Sequence, residues 1–519
     1  MTGKTTHIFV SGAPAWGHIK PFMVFACKLL VEHRRIRPQD SLIVTMAVVG
    51  DLKTMLDYEI ERCLGPQDED LKENLHLISL GGKGTNAIQL YQFLLGGFEA
   101  FYTSVHNGSP ITCQETGRVY TVEQRPNIVI ADFFMLNTLA IINKLNEQDR
   151  PNEKVPMSTW NSAVLGPVMR IMGPEELGGI GDIGAKAKAL AEKTGITFEE
   201  AEAELYRPQK GDLVKVPGLP EMFDYEFYTQ DNIPEEIVKI QIMLLKQAHQ
   251  MITDCDGLIC TSSAALEPEA CKATKAWYEE RNKSFYAIGP AHPQDFLADK
   301  IDVHGNSKIA DLDLSTAKGV EVKAFLDNVY NTSGRHSLLY VSFGTAFWPG
   351  EPMWKVVEIV LSLNIPLLLA FDEEKALTCK WTPQQYILAH PTVGWFLTHC
   401  GQNSIGEATL RGVPLLAWPM EAEQPGTAAY LTLKSDVAYE ILESRAGLGL
   451  KPMNRGYQAK GTIEALEEEI RRVLQDAFHG EGGVRKRNNA ETLRERIRDG
   501  LRSDGESTKD IVRFVEEYL

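Results

Sequence analysis

"WFLTHCGQNSIGEATLRGVPLLAWP", residues 395–419, sets an apolar run directly against Thr-His-Cys-Gly and then a helical pattern. Trp395 to Thr398 read as a buried strand and Ile405 to Arg411 as the start of a helix, with Gly401 letting the backbone turn between them. The first turn of a helix carries unpaired N–H groups and a partial positive charge, so an anion is held there readily. His399 adds a donor that can be cationic, and Asn403 and Ser404 add polar side chains. Ser404-Ile405-Gly406-Glu407 equally fits the S-x-x-E capping box, in which the serine only starts the helix. On this stretch alone both readings stand.

Outward from it, short apolar strands alternate with helical patterns in two successive halves. The first half offers "HIFVS" (7–11), "LIVTM" (42–46), "LHLIS" (75–79), "IVIAD" (128–132) and "GLICT" (257–261), and "YAIGPAHPQD" (286–295) closes it. After the first strand Pro21 suits a helix N1 position, and Phe22, Phe25, Ala26, Leu29 and Leu30 make one apolar face. The second half offers "SLLYVSF" (337–343), "IPLLLAF" (365–371), "GWFLT" (394–398) and "PLLAW" (414–418). Such alternation predicts α/β architecture: two doubly wound parallel sheets, each holding ligand beyond the C-terminal ends of its strands. The expected division is residues 1–290, a polar linker over 291–318, a second domain over 319–500, and a C-terminal helix over 501–519 packing back on the first domain.

Composition limits the partners. The 519 residues are 44% hydrophobic and 24% charged, ordinary for a globular protein, and the formal net charge is −17. A nucleic acid or an anionic membrane surface is therefore an unsuited partner. The eight cysteines form no C-x-x-C pair, and "MTGKTTHIFVSGAPAWG" has too short an apolar run for an export signal, so reduced thiols and a cytoplasmic setting are expected. "IVLSLNIPLLLAF" is only 13 residues long and is broken by Ser362, Asn364 and Pro366, so no membrane span is expected.

Most chemistry motifs fail. "TGKT" (2–5) precedes the first strand, and "GGKGT" (81–85) has glycine where a P-loop needs Ser or Thr. No G-x-G-x-x-G follows a strand, so no nicotinamide or flavin cofactor is expected, and G-x-S-x-G and H-E-x-x-H are missing. The pairs Asp254/Asp256 and Asp311/Asp313 do not amount to a metal site. Two polar residues remain at strand ends: His18, in "APAWGHIKP", and Asp132, ending "NIVIAD". A carboxylate bonded to one imidazole nitrogen fixes the tautomer and raises the basicity of the other. Read singly, His18 is a solvated loop residue and Asp132 a helix cap.

Residues 381–424, "WTPQQYILAHPTVGWFLTHCGQNSIGEATLRGVPLLAWPMEAEQ", resemble without a gap the donor-binding signature of family 1 UDP-dependent glycosyltransferases, whose soluble members occur in plants and fungi. "GHIKP", "ADFF", "DGLICTSSAALEPEA" and "LLYVSFGT" resemble further elements of that family, and residues 160–250 match least. The resemblance implies a GT-B fold, two Rossmann-like domains facing a cleft, with acceptor mainly on the first and donor mainly on the second. Carried over by motif, Trp381 would stack on uracil beside Thr382 and Gln384, and Glu407 would hold the ribose hydroxyls. His399, Asn403, Ser404 and Thr345 would surround the diphosphate, and Glu423 and Gln424 would bind the sugar. Gln402 stands where plant members usually carry Trp, and Thr427 where Asn is common; both bear on the sugar rather than on UDP.

The activity implied is inverting transfer of glucose from UDP-glucose to a hydroxyl of a small lipophilic acceptor such as a phenolic or flavonoid-like secondary metabolite. His18 would be the base, Asp132 its partner, and no metal or resident cofactor would take part. A monomer is expected. Rival readings are a sterol or lipid glucosyltransferase, against which no membrane-binding helix is found, and a non-catalytic UDP-sugar sensor, which would have no use for His18. Tyr91, Phe93, Phe98, Phe101, Tyr102, Trp160, Met169, Met172, Phe223 and Tyr225 are candidates for the acceptor pocket.

Overall fold

A computed structural model describes residues 3–50, 52–82, 87–135, 137–149, 151–230, 235–297, 316–344, 347–370 and 383–519. Among these residues, seven parallel strands make one sheet: β1 (Thr5–Ser11), β2 (Ser41–Val48), β3 (Leu75–Ser79), β4 (Ile128–Asp132), β5 (Met157–Asn161), β6 (Gly257–Cys260) and β7 (Ser284–Ala287). Their spatial order is β7-β6-β5-β4-β1-β2-β3. Five more make a second parallel sheet: β8 (Leu338–Ser342), β9 (Leu367–Ala370), β10 (Val393–Thr398), β11 (Leu415–Ala417) and β12 (Ala438–Glu440), ordered β9-β8-β10-β11-β12. The order reverses between β1 and β4 in one sheet and between β8 and β10 in the other. At such points the connections leave in opposite directions and open a crevice at the strand ends.

The helices that matter for function are α1 (Trp16–Ile36), α2 (Leu52–Cys63), α3 (Gln384–Ala389), α4 (Gln402–Arg411), α5 (Gln424–Leu433) and α6 (Glu506–Tyr518). On α1, Phe22 stacks on Trp160 of β5 with centroids 4.5 Å apart, and Phe25 packs on the same ring. Burying a side chain of this size favours the fold by about 1.5–3 kcal/mol. Phe25 also meets Phe514 of α6. That terminal helix is tied to the sheet edge: Asp510 accepts from the Ala287 amide at 2.8 Å, and Glu517 from Ser284 at 2.7 Å.

Two local expectations are corrected. Pro21 is not at N1, because α1 already begins at Trp16; the proline lies inside the helix. The helix tolerates it because the carbonyl that Pro21 cannot serve, that of Gly17, accepts from Asn403 Nδ2 at 3.1 Å instead. Strand β5, "MSTWN", was absent from the strand reading because Ser158, Thr159 and Asn161 are polar, yet all three are fully buried. Asn161 Oδ1 accepts from the Ala163 amide at 2.8 Å and Thr159 donates to the Ala131 carbonyl at 3.4 Å, while Ser158 Oγ has no partner among the described residues.

Candidate active site

The reversal between β1 and β4 brings His18 and Asp132 together across 114 residues of chain: Nδ1 to Oδ2 is 2.8 Å. His18 sits in the first turn of α1 rather than in a solvated loop, and the Ser162 hydroxyl lies 3.4 Å from the same Nδ1. Asp132 is fully buried and does not cap a helix, since Asn137 precedes the helix Thr138–Asn146. Its Oδ1 accepts from the Phe134 amide at 2.9 Å, which fixes the carboxylate and turns Oδ2 to the imidazole. The Phe133 and Phe134 rings pack against His18. Burial disfavours a charged ring, but the carboxylates of Asp132 and then Glu423 outweigh it and hold the His18 pKa above its ordinary 6.5.

At the second reversal, Cys400 rather than Gly401 takes the left-handed backbone, with φ 69°. Gly401 is needed for a different reason: a Cβ there would stand 2.5 Å from His399 Nε2. Burial pushes His399 down to about 4, so of the two forms open to it the ring is neutral at physiological pH. Helix α4 starts at Gln402, with Gly401 as the preceding residue and no side chain bonded to the first-turn amides. Ser404 is therefore the third helical residue, and the capping-box reading falls. Its hydroxyl accepts from Gln384 Nε2 at 3.3 Å.

Glu407, one turn on, is buried and engaged from two sides. Gln384 Nε2 donates to Oε2 at 2.7 Å and Gln385 Nε2 to Oε1 at 2.8 Å. Lys20 Nζ reaches Oε1 at 3.4 Å from α1, in the other half of the chain. Burial raises the Glu407 pKa, but Lys20, His292 and the two glutamines together hold it below the usual range, so the carboxylate is ionised. At the start of α5, Gln424 Oε1 accepts from the amides of Met420 at 3.0 Å and Glu421 at 3.2 Å in the loop after β11. This leaves the amide N–H₂ of Gln424 as its free function, a donor and not the donor-and-acceptor pair its residue type allows. Glu423 is half-buried, and its carboxyl is raised by burial against the pull of its own backbone amide and His18. Gln402 donates to Thr261 beyond β6 at 3.4 Å. The two crevices thus face each other across contacts from Gln402, Asn403 and Glu407. Thr345, Trp381 and Thr382 lie outside the described residues.

A family model described as "UDP-glucoronosyl and UDP-glucosyl transferase" matches residues 304–444. The UDP-glycosyltransferase eriJ of Hericium erinaceus is 25% identical over 508 residues, 92% of either chain. Over residues 304–444 the chain is similar to UDP-glycosyltransferases, and the likeness to one such enzyme runs through nearly its whole length. A chloroplastic crocetin glucosyltransferase of Gardenia jasminoides is 30% identical over 275 residues, 49% of this chain and 52% of that one. The solved structure of Medicago truncatula UGT71G1 with UDP-glucose superimposes with a TM-score of 0.64 at 17% identity, covering 99% and 98% of the two chains. The fold of this glycosyltransferase is GT-B.

The family model does not reach the first domain, and several aromatic candidates there are structural. In this glycosyltransferase Trp160, Phe98, Phe101 and Tyr102 are core residues, the last three packed around Phe9, and Met169 and Met172 are buried with them. Tyr225 bonds the Pro452 carbonyl at 2.6 Å, and Phe93 is exposed. Tyr91 is tied to the carbonyl of Phe134, beside the His18–Asp132 pair. Lys20, Gln385, Ser162 and His292 went unread. The first two adjoin quoted motifs, in "GHIKP" and "WTPQQ", but nothing in a linear spacing of 387 residues joins Lys20 to Glu407. Of the acidic pairs, Asp256 accepts from the Met157 amide at 2.8 Å, and Asp311 and Asp313 lie outside the described residues. Among the described residues no group of three or more His, Cys, Asp or Glu side chains is placed to hold a metal ion, and no helix is long and apolar enough to cross a membrane.

Proposed function

We propose that this glycosyltransferase moves glucose from UDP-glucose, with inversion, to a hydroxyl of a small lipophilic acceptor. The His18–Asp132 pair carries the reading: a buried carboxylate 2.8 Å from Nδ1 accepts the Nδ1–H hydrogen bond, keeps the ring proton on that nitrogen and leaves Nε2 as a base toward the cleft. Nε2 removes the acceptor O–H proton while that oxygen bonds the anomeric carbon, and the bond from that carbon to the diphosphate oxygen breaks on the opposite face. UDP leaves toward the first turn of α4, whose amides, with Ser404, Asn403 and the neutral His399, offer hydrogen bonds to its phosphates. Trp381 with Thr382 would hold uracil, Gln384 and Glu407 the ribose side, Thr345 the phosphates, and Glu423, Gln424 and Gln402 the sugar. The relatives bearing glucosyltransferase names and the neighbour solved with UDP-glucose support the choice of sugar.

The test is UDP release from UDP-glucose with an alkyl alcohol acceptor, for wild type and His18→Ala. Loss of about 10²-fold or more in turnover with unchanged UDP affinity is expected. Turnover near wild type in the variant would overturn the assignment. Phenols are the weaker probe, because they ionise readily and need the base less.

A further inference from the structure

Lys20 is a charged group of this cleft that the proposed chemistry does not use. It is buried on α1, two residues past His18, and its ammonium lies 3.4 Å from Glu407 Oε1 and 4.0 Å from Glu59 Oε1 of α2. Glu59 keeps a second buried oxygen, Oε2, with no hydrogen-bond partner among the described residues. Its Oε1 is also approached by Arg62 at 3.5 Å, and Arg62 donates in turn to Gln385 Oε1 at 2.6 Å. Lys20 therefore stands between two carboxylates, one on each side of the cleft.

A carboxylate offers about four acceptor positions. Three donors already meet Glu407: Gln384 on Oε2, and Gln385 and Lys20 on Oε1. A ribose diol brings two more, so one of the three must leave. The glutamine bonds are 2.7 and 2.8 Å long and come from α3, on the same side of the cleft as Glu407. The Lys20 contact is the longest and comes from the opposite side.

We propose that Lys20 is a positioning residue for the donor: it holds Glu407 while the ribose seat is empty, and yields that carboxylate to the ribose diol by moving to Glu59. This rests on the reading that Glu407 holds the ribose. The exchange keeps the buried Lys20 ammonium beside a carboxylate in both states and leaves Glu407 hydrogen-bonded in both, which matters because an unpaired buried ion is costly. It also makes release of a contact between the two halves of the chain a condition of donor binding.

The experiment compares the affinities of UDP and of 2′,3′-dideoxy-UDP, which lacks both hydroxyls, by calorimetry on the full chain. Wild type should prefer UDP, and Glu407→Gln should lose most of that preference. Lys20→Met removes the competitor, so the preference for UDP over its dideoxy form should rise roughly three- to tenfold. Lys20→Arg should restore the wild-type ratio. Glu59→Gln weakens the second seat and should act in the opposite sense, lowering UDP affinity severalfold with the dideoxy form unchanged; it decides the question should Lys20→Met fold poorly. A wild type that binds both nucleotides alike would overturn the ribose seat and the exchange with it. A wild-type preference for UDP that Lys20→Met leaves unchanged or lowers would overturn the exchange alone.

Discussion

Replacing Asp132 by Asn tests the base more sharply than removing His18. The two side chains have the same shape, and the Phe134 amide, 2.9 Å from Oδ1, needs an acceptor in that place. The asparagine oxygen must therefore face Phe134, which turns its N–H₂ toward His18 Nδ1. That nitrogen then has to accept, and the ring proton moves to Nε2, where it blocks the base. A second effect adds to the first. The Asp132 carboxylate is the largest of the influences that hold His18 above 6.5 against burial. His399 shows what burial alone does in this protein, a value of about 4. The loss should thus reach roughly 10²–10⁴-fold in kcat, with UDP affinity unchanged.

The pH profile separates this from general damage. A base must be neutral to act, so wild-type kcat/KM should rise with pH through the raised His18 value, on an acid limb lying above 6.5. In Asp132→Asn the limb should move below 6.5, because burial then prevails. Initial rates from pH 5 to 9 with an alkyl alcohol at saturating UDP-glucose measure both. An Asp132→Asn enzyme with near-wild-type turnover, or with its acid limb unmoved, would refute the argument. Asp132→Ala offers a further check. It imposes no donor on Nδ1, leaves the tautomer free, and should be the less harmful of the two substitutions.

Ser404→Ala should leave the melting temperature of the free protein nearly unchanged, because Ser404 is not the cap of α4, while UDP affinity falls; a cost of about 1 kcal/mol with UDP binding intact would restore the capping role. Among sugars UDP-glucose should be the best donor, UDP-xylose or UDP-galactose a weaker second and UDP-glucuronate poor, since Glu423 and the Gln424 N–H₂ fit neutral hydroxyls; initial rates with the four at one acceptor concentration check this, and a clear lead for galactose or glucuronate would remove Gln424 as the determinant. Stability should fall as pH drops from 6.5 toward 5. His7 and His399 at about 4 and His292 at about 3 titrate lower in the fold than in the open chain, so their neutral forms contribute stability above 6.5 that is lost as pH falls toward those values. Each loses about 2 kcal/mol over that interval, while His18, shifted upward, changes in the opposite sense; urea midpoints at pH 7 and 5 that coincide would contradict the burial argument.

The strands that sequence made plain are those whose burial shows as apolar composition: β3 and β4 match residue for residue at 75–79 and 128–132. Strands β5 and β12 were not legible, because they are short and carry polar or mixed residues, of which Thr159, Asn161, Tyr439 and Glu440 bond neighbouring backbone or side-chain partners that a linear pattern cannot display. In the site, His18 and Asp132 were found as strand-end residues, and the switch point that joins them follows from strand order. The protonation of His399 was open in the sequence and is decided by its surroundings. Charge is a property of residue type only in water. Here Gly344 and Gly401 allow the ring to be enclosed, with approaches of 3.0 and 2.5 Å to a Cβ at either position, and enclosure removes the proton.

Pro21 shows why the remaining part of the site could not be read from local rules. As a helix signal it pointed to the wrong start, since a proline is usual at N1 and costly further in. Its cost is a carbonyl left without its amide, here that of Gly17, at the mouth of the cleft. Asn403 bonds that carbonyl from the second domain at 3.1 Å. On the proposed reading Asn403 also serves the donor phosphates, as Glu407 serves the ribose while bonded to Lys20. Both side chains are thus also bonded to α1. The defect in α1 and the buried lysine three residues beyond Gly17 present to α4 one acceptor and one cation, complementary to the amide and the carboxylate there. Local helix rules count the proline as an error and the lysine as a misplaced charge. They make sense together once α1 is seen as the surface against which α4 rests.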